Sequence, residues 1–496
     1  MRSLRRVLLV LAACSFATSH SATAADFFLT IGGGYSPSGN QASLERNVLF
    51  FQRLLKQHRL DENVNDIYFS DGDHPDDDLQ VIDRTSIPKA NQLMAEFFGS
   101  QRDLGLSYRN HEIDKVRGST SPKNIQQWFD DVGSTMEKGD RLVLYVTAHG
   151  NESQTRNHPY NTSISLWNHR KITVSELSAM LDQLPEGVSV VTIMVQCHAG
   201  GFARLVYNEG DPDKGRSSQT RSGFFATVHD RPAAGCTPEI DEATYVEYST
   251  YFWEAIAGRT RLDQPIELPD YNQDGVVSFE EAHAYTILKS DTIDLPIKTS
   301  GEFLGEESLF QDEQHPELLP RDLAYDELIT FATASDRAVL EGLSEQLDLQ
   351  GENRLEVAEQ KKEKARPRGR RRARNTDTDS SAALRRKIAT DMRSRWPGLA
   401  NPLNPIGIEL MTTRSDDFIR AIEVHPDYAN YRELANTSKT KLSDREKEVK
   451  YERFIRTVEN VILRENLIRM GNANTIAAFE AILEGETASL GSPKRQ

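Results

Sequence analysis

Cysteine is scarce in this chain: three in 496 residues. There is no CxxC pair and no Cys/His cluster at zinc spacing, so neither a disulfide framework nor a finger-type zinc site holds the fold together. Long apolar runs are scarce too. Beyond residue 25 no stretch is long enough to span a bilayer as a helix. Positive charge is in deficit. The net charge of −16 works against nucleic acid or an anionic membrane surface as a partner. A dinucleotide fingerprint is also missing. "GGGYSPSGN" (Gly32 to Asn40) lies between a strand and a helix, but its glycines miss the GxGxxG spacing. It reads as a flexible loop at the edge where a parallel sheet gathers its ligands. No internal repeat is present.

The first 25 residues have the layout of an export signal. Arg2, Arg5 and Arg6 make a positive start, Val7 to Ala13 an apolar centre, and Ala22-Thr23-Ala24 a small-x-small cleavage site. Residues 1–25 are expected to be removed, giving a secreted or periplasmic protein whose cysteines are Cys197 and Cys236. A competing reading takes Leu11-Ala12-Ala13-Cys14 as a lipobox, which would make Cys14 the lipid-modified start of a membrane-anchored lipoprotein. The short lead before Cys14 weighs against it.

From Asp26 to about Ala257, short apolar runs alternate with helical spacing. Phe27 to Ile31, Ile67 to Phe69, Leu142 to Thr147, Val188 to Val195 and Phe224 to Val228 read as strands. Leu44, Val48, Phe51 and Leu55 recur at helical spacing, and Ser121 to Met136, Thr173 to Leu184 and Tyr245 to Ala257 read as helices. Buried strands alternating with helices predict an α/β fold with a mostly parallel sheet and helices on both faces. Residues 355–381 include the basic run Lys361 to Arg374 and are expected to be a disordered linker, with a polyanion site or a processing site as the alternatives. Residues 382–496 are expected to be helical. Ser443 and Glu446 form a capping box; Tyr451, Ile455, Val458, Ile462 and Leu463 form a stripe; Gly471 stands at the C-cap.

Two strand ends carry candidate chemistry. "LYVTAHG" ends in His149-Gly150 and "TIMVQCHAGG" in Cys197-His198. In an open parallel sheet, catalytic groups collect at the carboxyl ends of strands. If the two strands are neighbours, the imidazole can take the thiol proton and the thiolate can attack a carbonyl carbon. Gly150 would let a substrate backbone come close, and the amides of Gly150 and Cys197 could bind the oxyanion. Taken singly, a strand-end cysteine is more often inert core and a lone histidine more often structural. Their placement about fifty residues apart in one strand–helix–strand unit shifts the balance.

On these motifs the stretch from Asp26 to about Ala257 resembles the caspase–legumain (clan CD) cysteine peptidases. "CHAG" is similar to the CHSG of metacaspases, and Ser119 to Phe129 and Ser163 to Trp167 are similar to legumain segments. The resemblance implies a three-layer α/β/α caspase-like sandwich over residues 26–340, followed by the helical region. It implies an endopeptidase acting on protein or peptide substrates, with His149 as base and Cys197 as nucleophile. Val195 stands where caspases and metacaspases place a polar or acidic pocket residue, and Ala148 where legumains place Asp. No cleavage preference is therefore implied. Glu239, Asp241, Glu242 and Glu247 could make a pocket for basic side chains, although acids at a solvated helix start explain them more simply. His198 reads as a solvent-facing loop residue. The alternatives to an endopeptidase are a catalytically silent binding module and another thiol-dependent hydrolase or transamidase on the same fold.

A separate motif, "DYNQDGVVSFEE" (Asp270 to Glu281), fits an EF-type calcium loop. Asp270, Asn272, Asp274, the Val276 carbonyl, Ser278 and Glu281 fall at the ligand positions, and Gly275 at the sharp turn. Pro265 and Pro269 argue against an entering helix, whereas an exiting helix from Phe279 to Leu288 fits. A structural Ca²⁺ is expected, and an Asx-rich turn is the simpler alternative.

Overall fold

The computed structural model describes residues 24–366, 376–440 and 442–491. The expected export signal lies almost wholly outside the described residues, and Cys14 lies outside them altogether. A seven-stranded sheet forms the centre. Its strands are β1 (Asp26–Gly33), β2 (Asn65–Phe69), β3 (Val116–Gly118), β4 (Arg141–Ala148), β5 (Ser189–Met194), β6 (Arg221–Phe225) and β7 (Ile297–Lys298). Their spatial order is β7-β6-β5-β4-β1-β2-β3. All neighbours pair in parallel except β7, which is antiparallel to β6. This is the α/β arrangement with a mostly parallel sheet that the alternation predicts.

β4 lies inside the sheet, and every one of its residues is buried. Successive side chains point to opposite faces. Leu142, Leu144 and Val146 enter one apolar cluster, Val143 and Tyr145 the other. Both faces must therefore be covered. The helix α1 (Ala42–Gln57) covers one face through Phe50, Phe51, Leu54 and Leu55. On the other lie α2 (Pro122–Asp131) and α3 (Val174–Leu181), through Ile125, Trp128, Leu177 and Leu181. α4 (Tyr248–Ala257) and α5 (Phe279–Lys289) join α1 on its side. Local signals fix the helix starts. Ser121 caps α2 by accepting from the Asn124 amide, and Thr173 with Glu176 makes a capping box on α3. α2 stops five residues before the expected end at Met136, because Gly133–Thr135 tightens into a 3₁₀ turn.

The C-terminal part is helical and built into the same body. α6 (Ala334–Leu347), α7 (Arg354–Ala365) and α8 (Asp444–Met470) share one apolar core, filled by Leu340, Leu343, Phe454, Val458 and Ile462. The Ser443/Glu446 capping box and the Gly471 C-cap, at φ +67°, bound α8. α9 (Ala473–Glu486) packs on the sheet, with Ser222 Oγ donating to the Ile482 carbonyl at 2.8 Å. A separate apolar cluster joins the helix Lys89–Phe98 to the helices between Thr376 and Thr440. Among the described residues no helix is long and apolar enough to cross a membrane.

The linker expected over 355–381 starts too early. α7 occupies its first part because Leu355 and Ala358 are buried in the core shared with α8. Lys361 Nζ donates to the carbonyls of Leu347 and Asp348 at 3.0 and 2.8 Å, which spends part of the basic run on the end of α6. Thr376–Arg395 is again a helix. The stretch 367–375 lies outside the described residues.

A buried ion pair ties the first strand to the middle of the sheet and to residues 489–491. Arg141 Nε and Nη2 donate to the two Asp26 oxygens, each at 2.7 Å. Arg141 Nη2 also donates to the Ser489 carbonyl at 2.9 Å, and the Gly491 amide donates to Asp26 at 3.0 Å. Arg141→Met keeps the side-chain volume but strands a buried carboxylate. It is expected to cost about 3–5 kcal/mol, read as a lower urea midpoint at neutral pH.

Candidate active site

β4 and β5 are direct neighbours in parallel register, with Arg141 opposite Ser189 and Val146 opposite Met194. They end at the same edge of the sheet. His149-Gly150 therefore emerges beside Gln196-Cys197-His198. The two backbones abut: a Cβ on Gly150 would lie 2.0 Å from the Cys197 carbonyl oxygen and 2.7 Å from Gln196 Cγ. Glycine is required there by close approach.

The side chains have separate partners. His149 Nε2 lies 2.8 Å from the Gly39 carbonyl and 2.9 Å from Gln41 Oε1, and the Tyr35 ring packs edge-on against the imidazole. A carbonyl can only accept, so Nε2 carries a proton and, in the neutral ring, Nδ1 keeps the lone pair. Burial lowers the His149 pKa, opposed by the Gly39 hydrogen bond, so the neutral form is favoured. Gly32 and Gly33, expected in the loop, complete β1; the segment after them borders the imidazole through Tyr35 and Gly39 and orients it. Cys197 Sγ accepts from the Ala233 amide at 3.3 Å and stands 3.8 Å from the Ala233 carbonyl. Burial raises the thiol pKa. The Ala233 amide opposes that rise, and the Asp294 carboxylate adds to it. Among the described residues no hydrogen bond joins the imidazole to the thiol. The fold brings the strand ends together and leaves the reactive groups apart. A cleft lined by Tyr35, His149, Gly150, Asn151, Ser165 and His169 opens on the imidazole side, and Cys197 does not line it.

Other expected residues fall as follows. Val195 is a core residue packed with α1 and α4. His198 is not a free solvent-facing side chain: its amide donates to the Arg231 carbonyl at 2.9 Å, and its Nδ1 lies 2.9 Å from the His229 carbonyl. Of the four acids considered for a pocket, Glu239 pairs with Arg84, Glu242 with Arg53 and Arg261, and Glu247 is buried 3.6 Å from Arg261. Asp241 caps a 3₁₀ turn at Ala243. Cys197 and Cys236 are both free thiols.

Two residues near the thiol have no signal in the sequence. Ala233 reaches Cys197 only through its backbone. Asp294 is fully buried, accepts from the Ala234 amide at 2.6 Å, and is pushed up to about 7 by burial.

The Asp270–Glu281 loop is folded by its own acceptors. Asp270 accepts from the Asp274 and Gly275 amides, Asn272 from Asp274, and Asp274 from Val276, at 2.8 to 3.0 Å. Gly275 takes φ +89°. Glu281 closes the loop by accepting from the Asn272 amide at 3.1 Å and the Ser278 amide at 2.9 Å. Glu281 Oε2 also accepts from the Ser278 hydroxyl at 2.9 Å; the other oxygens named keep a second lone pair, so oxygen donors for a hard cation are chemically present. Among the described residues no three His, Cys, Asp or Glu side chains converge to hold a metal; this donor set relies on Asn, Ser and a carbonyl as well. The residues before the loop are not helical, in keeping with the prolines, and α5 is the exiting helix.

No protein-family profile matches the chain, and no curated protein does. Among solved structures, the crystal structure of protein GSU0716 from Geobacter sulfurreducens is similar at 10% identity with a TM-score of 0.31. The similarity covers 55% of this chain and 92% of that one.

A raised thiol pKa leaves little thiolate at neutral pH. In peptide-resolved alkylation with iodoacetamide, Cys197 should react more slowly than an ordinary cysteine at pH 7, with its rate still climbing above pH 9.

Proposed function

We propose that the chain is an exported cysteine endopeptidase of the caspase–legumain kind, with Cys197 as nucleophile and His149 as general base. The observation that carries this reading is the adjacency of β4 and β5, which end in His149-Gly150 and Cys197 at one edge. In the reaction, His149 Nδ1 takes the thiol proton and Cys197 Sγ bonds to the substrate carbonyl carbon. The amides of Gly150 and Cys197 receive the oxyanion. The imidazolium then protonates the leaving amine, and water, deprotonated by the same nitrogen, hydrolyses the thioester. The layered caspase-like sandwich and a protein or peptide substrate belong to the same proposal.

The opposed reading, a silent binding module, is favoured by the thiol's attachment to Ala233 and its raised pKa. A thiol-directed peptide electrophile separates the two. The enzyme should be labelled at Cys197, and Cys197→Ala should lose both labelling and cleavage of a peptide library. A chain that is neither labelled nor cleaves, with calcium and reductant present, both as wild type and with the 229–236 segment released by Arg231→Ala, sinks the peptidase reading.

The same proposal gives Asp270, Asn272, Asp274, the Val276 carbonyl, Ser278 and Glu281 to a structural Ca²⁺. The ion's two positive charges would offset most of the charge of Asp270, Asp274 and Glu281 and would fix the start of α5, whose Phe279 and Ala282 are core residues. Calcium at a hundredfold excess over Kd should stabilise the fold by about 2.7 kcal/mol, seen as a Tm rise that a chelator reverses. In Glu281→Gln the calcium-dependent rise should be largely lost.

A further inference from the structure

We propose that residues 229–236 form a strap that shuts Cys197, and that α8 latches it. The strap lies along the reactive strand end with alternate residues bonded to it. The His229 carbonyl accepts from His198 Nδ1 at 2.9 Å. The Arg231 carbonyl accepts from the His198 amide at 2.9 Å. The Ala233 amide donates to Cys197 Sγ at 3.3 Å. The glycine after Ala199 makes room for it: a Cβ on Gly200 would lie 2.7 Å from Val228 Cα and 2.8 Å from the His229 nitrogen. The strap occupies the ground beside the thiol that a substrate backbone would need.

Two consecutive residues of α8 hold the strap down. Glu452 takes both Arg231 Nη atoms, the Nη2–Oε1 contact at 3.1 Å, and both side chains are largely buried. Arg453 is buried and donates to the carbonyls of Ile287, Ser290 and Asp294 at 2.7 to 3.0 Å. That fixes the segment whose Asp294 carboxylate holds the Ala234 amide. The far end of the strap is a bend. Gly235 has φ +115°, and Cys236 sits in the left-handed region at +57°, a costly place for a non-glycine residue. Beyond it, Thr237 is pinned to Ser43 of α1 by two hydrogen bonds. The strap is thus a short span between fixed ends, latched by one ion pair and one amide–carboxylate bond and hydrogen-bonded to the strand end at His198 and Cys197. Opening it frees the thiol without unfolding the sheet. That the strap covers the thiol is independent of the enzyme's chemistry; that it restrains an enzyme rests on the peptidase reading.

The test is the iodoacetamide alkylation rate of Cys197 in the full chain, resolved by peptide mass, for wild type, Arg231→Ala and Glu452→Gln. Far-UV circular dichroism verifies folding. Loss of the latch should speed alkylation about threefold to tenfold. Hydrogen exchange should show residues 229–236 losing protection while α8 keeps its own. The strap is overturned if both folded variants alkylate at the wild-type rate, or if wild-type Cys197 already reacts as fast as in the urea-unfolded chain. Should Arg231→Ala fail to fold, Glu452→Gln and the exchange data decide alone. Faster alkylation without labelling by the peptide electrophile keeps the strap and defeats the peptidase reading. Unchanged alkylation with peptide labelling intact defeats the strap alone.

Discussion

The arrangement depends on a strand that has no face to give to water. β4 buries all its residues, half to each side. Helices must therefore lie on both faces, and parallel neighbours must flank it on β1 and β5. The carboxyl end is where the chain can leave this environment towards solvent. His149 and Gly150 lie at that exit because the burial of the preceding eight residues leaves them no other place. The same holds for Cys197 at the end of β5. Candidate chemistry at the edge is thus a consequence of how the core is filled.

Burial also sets the resting charge of the site. The imidazole and the thiol are both pushed towards their neutral forms by loss of water. A thiolate–imidazolium pair in this environment needs each partner to stabilise the other, and the present hydrogen bonds give each a different neighbour. Gly39 and Ala233 hold the two groups by backbone atoms alone. The two positions differ in what they tolerate: a Cβ on Gly39 would lie 2.7 Å from Cε1 and Cζ of Tyr35, whose ring packs on His149, so substitution there would disturb the imidazole's surroundings.

Much of the scaffold was legible in the sequence. Val143, Tyr145, Val191 and Ile193 are β-formers in short apolar runs, and they became strands. Ser443, Glu446 and Gly471 marked the ends of α8, because capping acts over four residues and needs no tertiary context. The sheet-edge role of Gly32 to Asn40 followed from position alone. Tertiary packing hid the rest. The basic composition around Lys361 masked two buried residues, Leu355 and Ala358, that suffice to dock a helix. His198 looked free because its partners are carbonyls thirty residues away. Asp294 had no motif at all; its importance comes from a fold contact with Ala234. Backbone-mediated contacts leave no trace in residue identity, so the strap could not be read from the chain.

The Asp26–Arg141 pair has a consequence for the order of assembly. Ser489 and Gly491 each add a hydrogen bond to it, so the first strand is completed by residues from the far end of the described chain. The Gly491 contact joins residues 465 positions apart, so its loop-closure cost is large and it is expected to form late in folding. A chain lacking Ser489 to Gly491 would carry an exposed polar seam along its first strand, a ready mark for quality control.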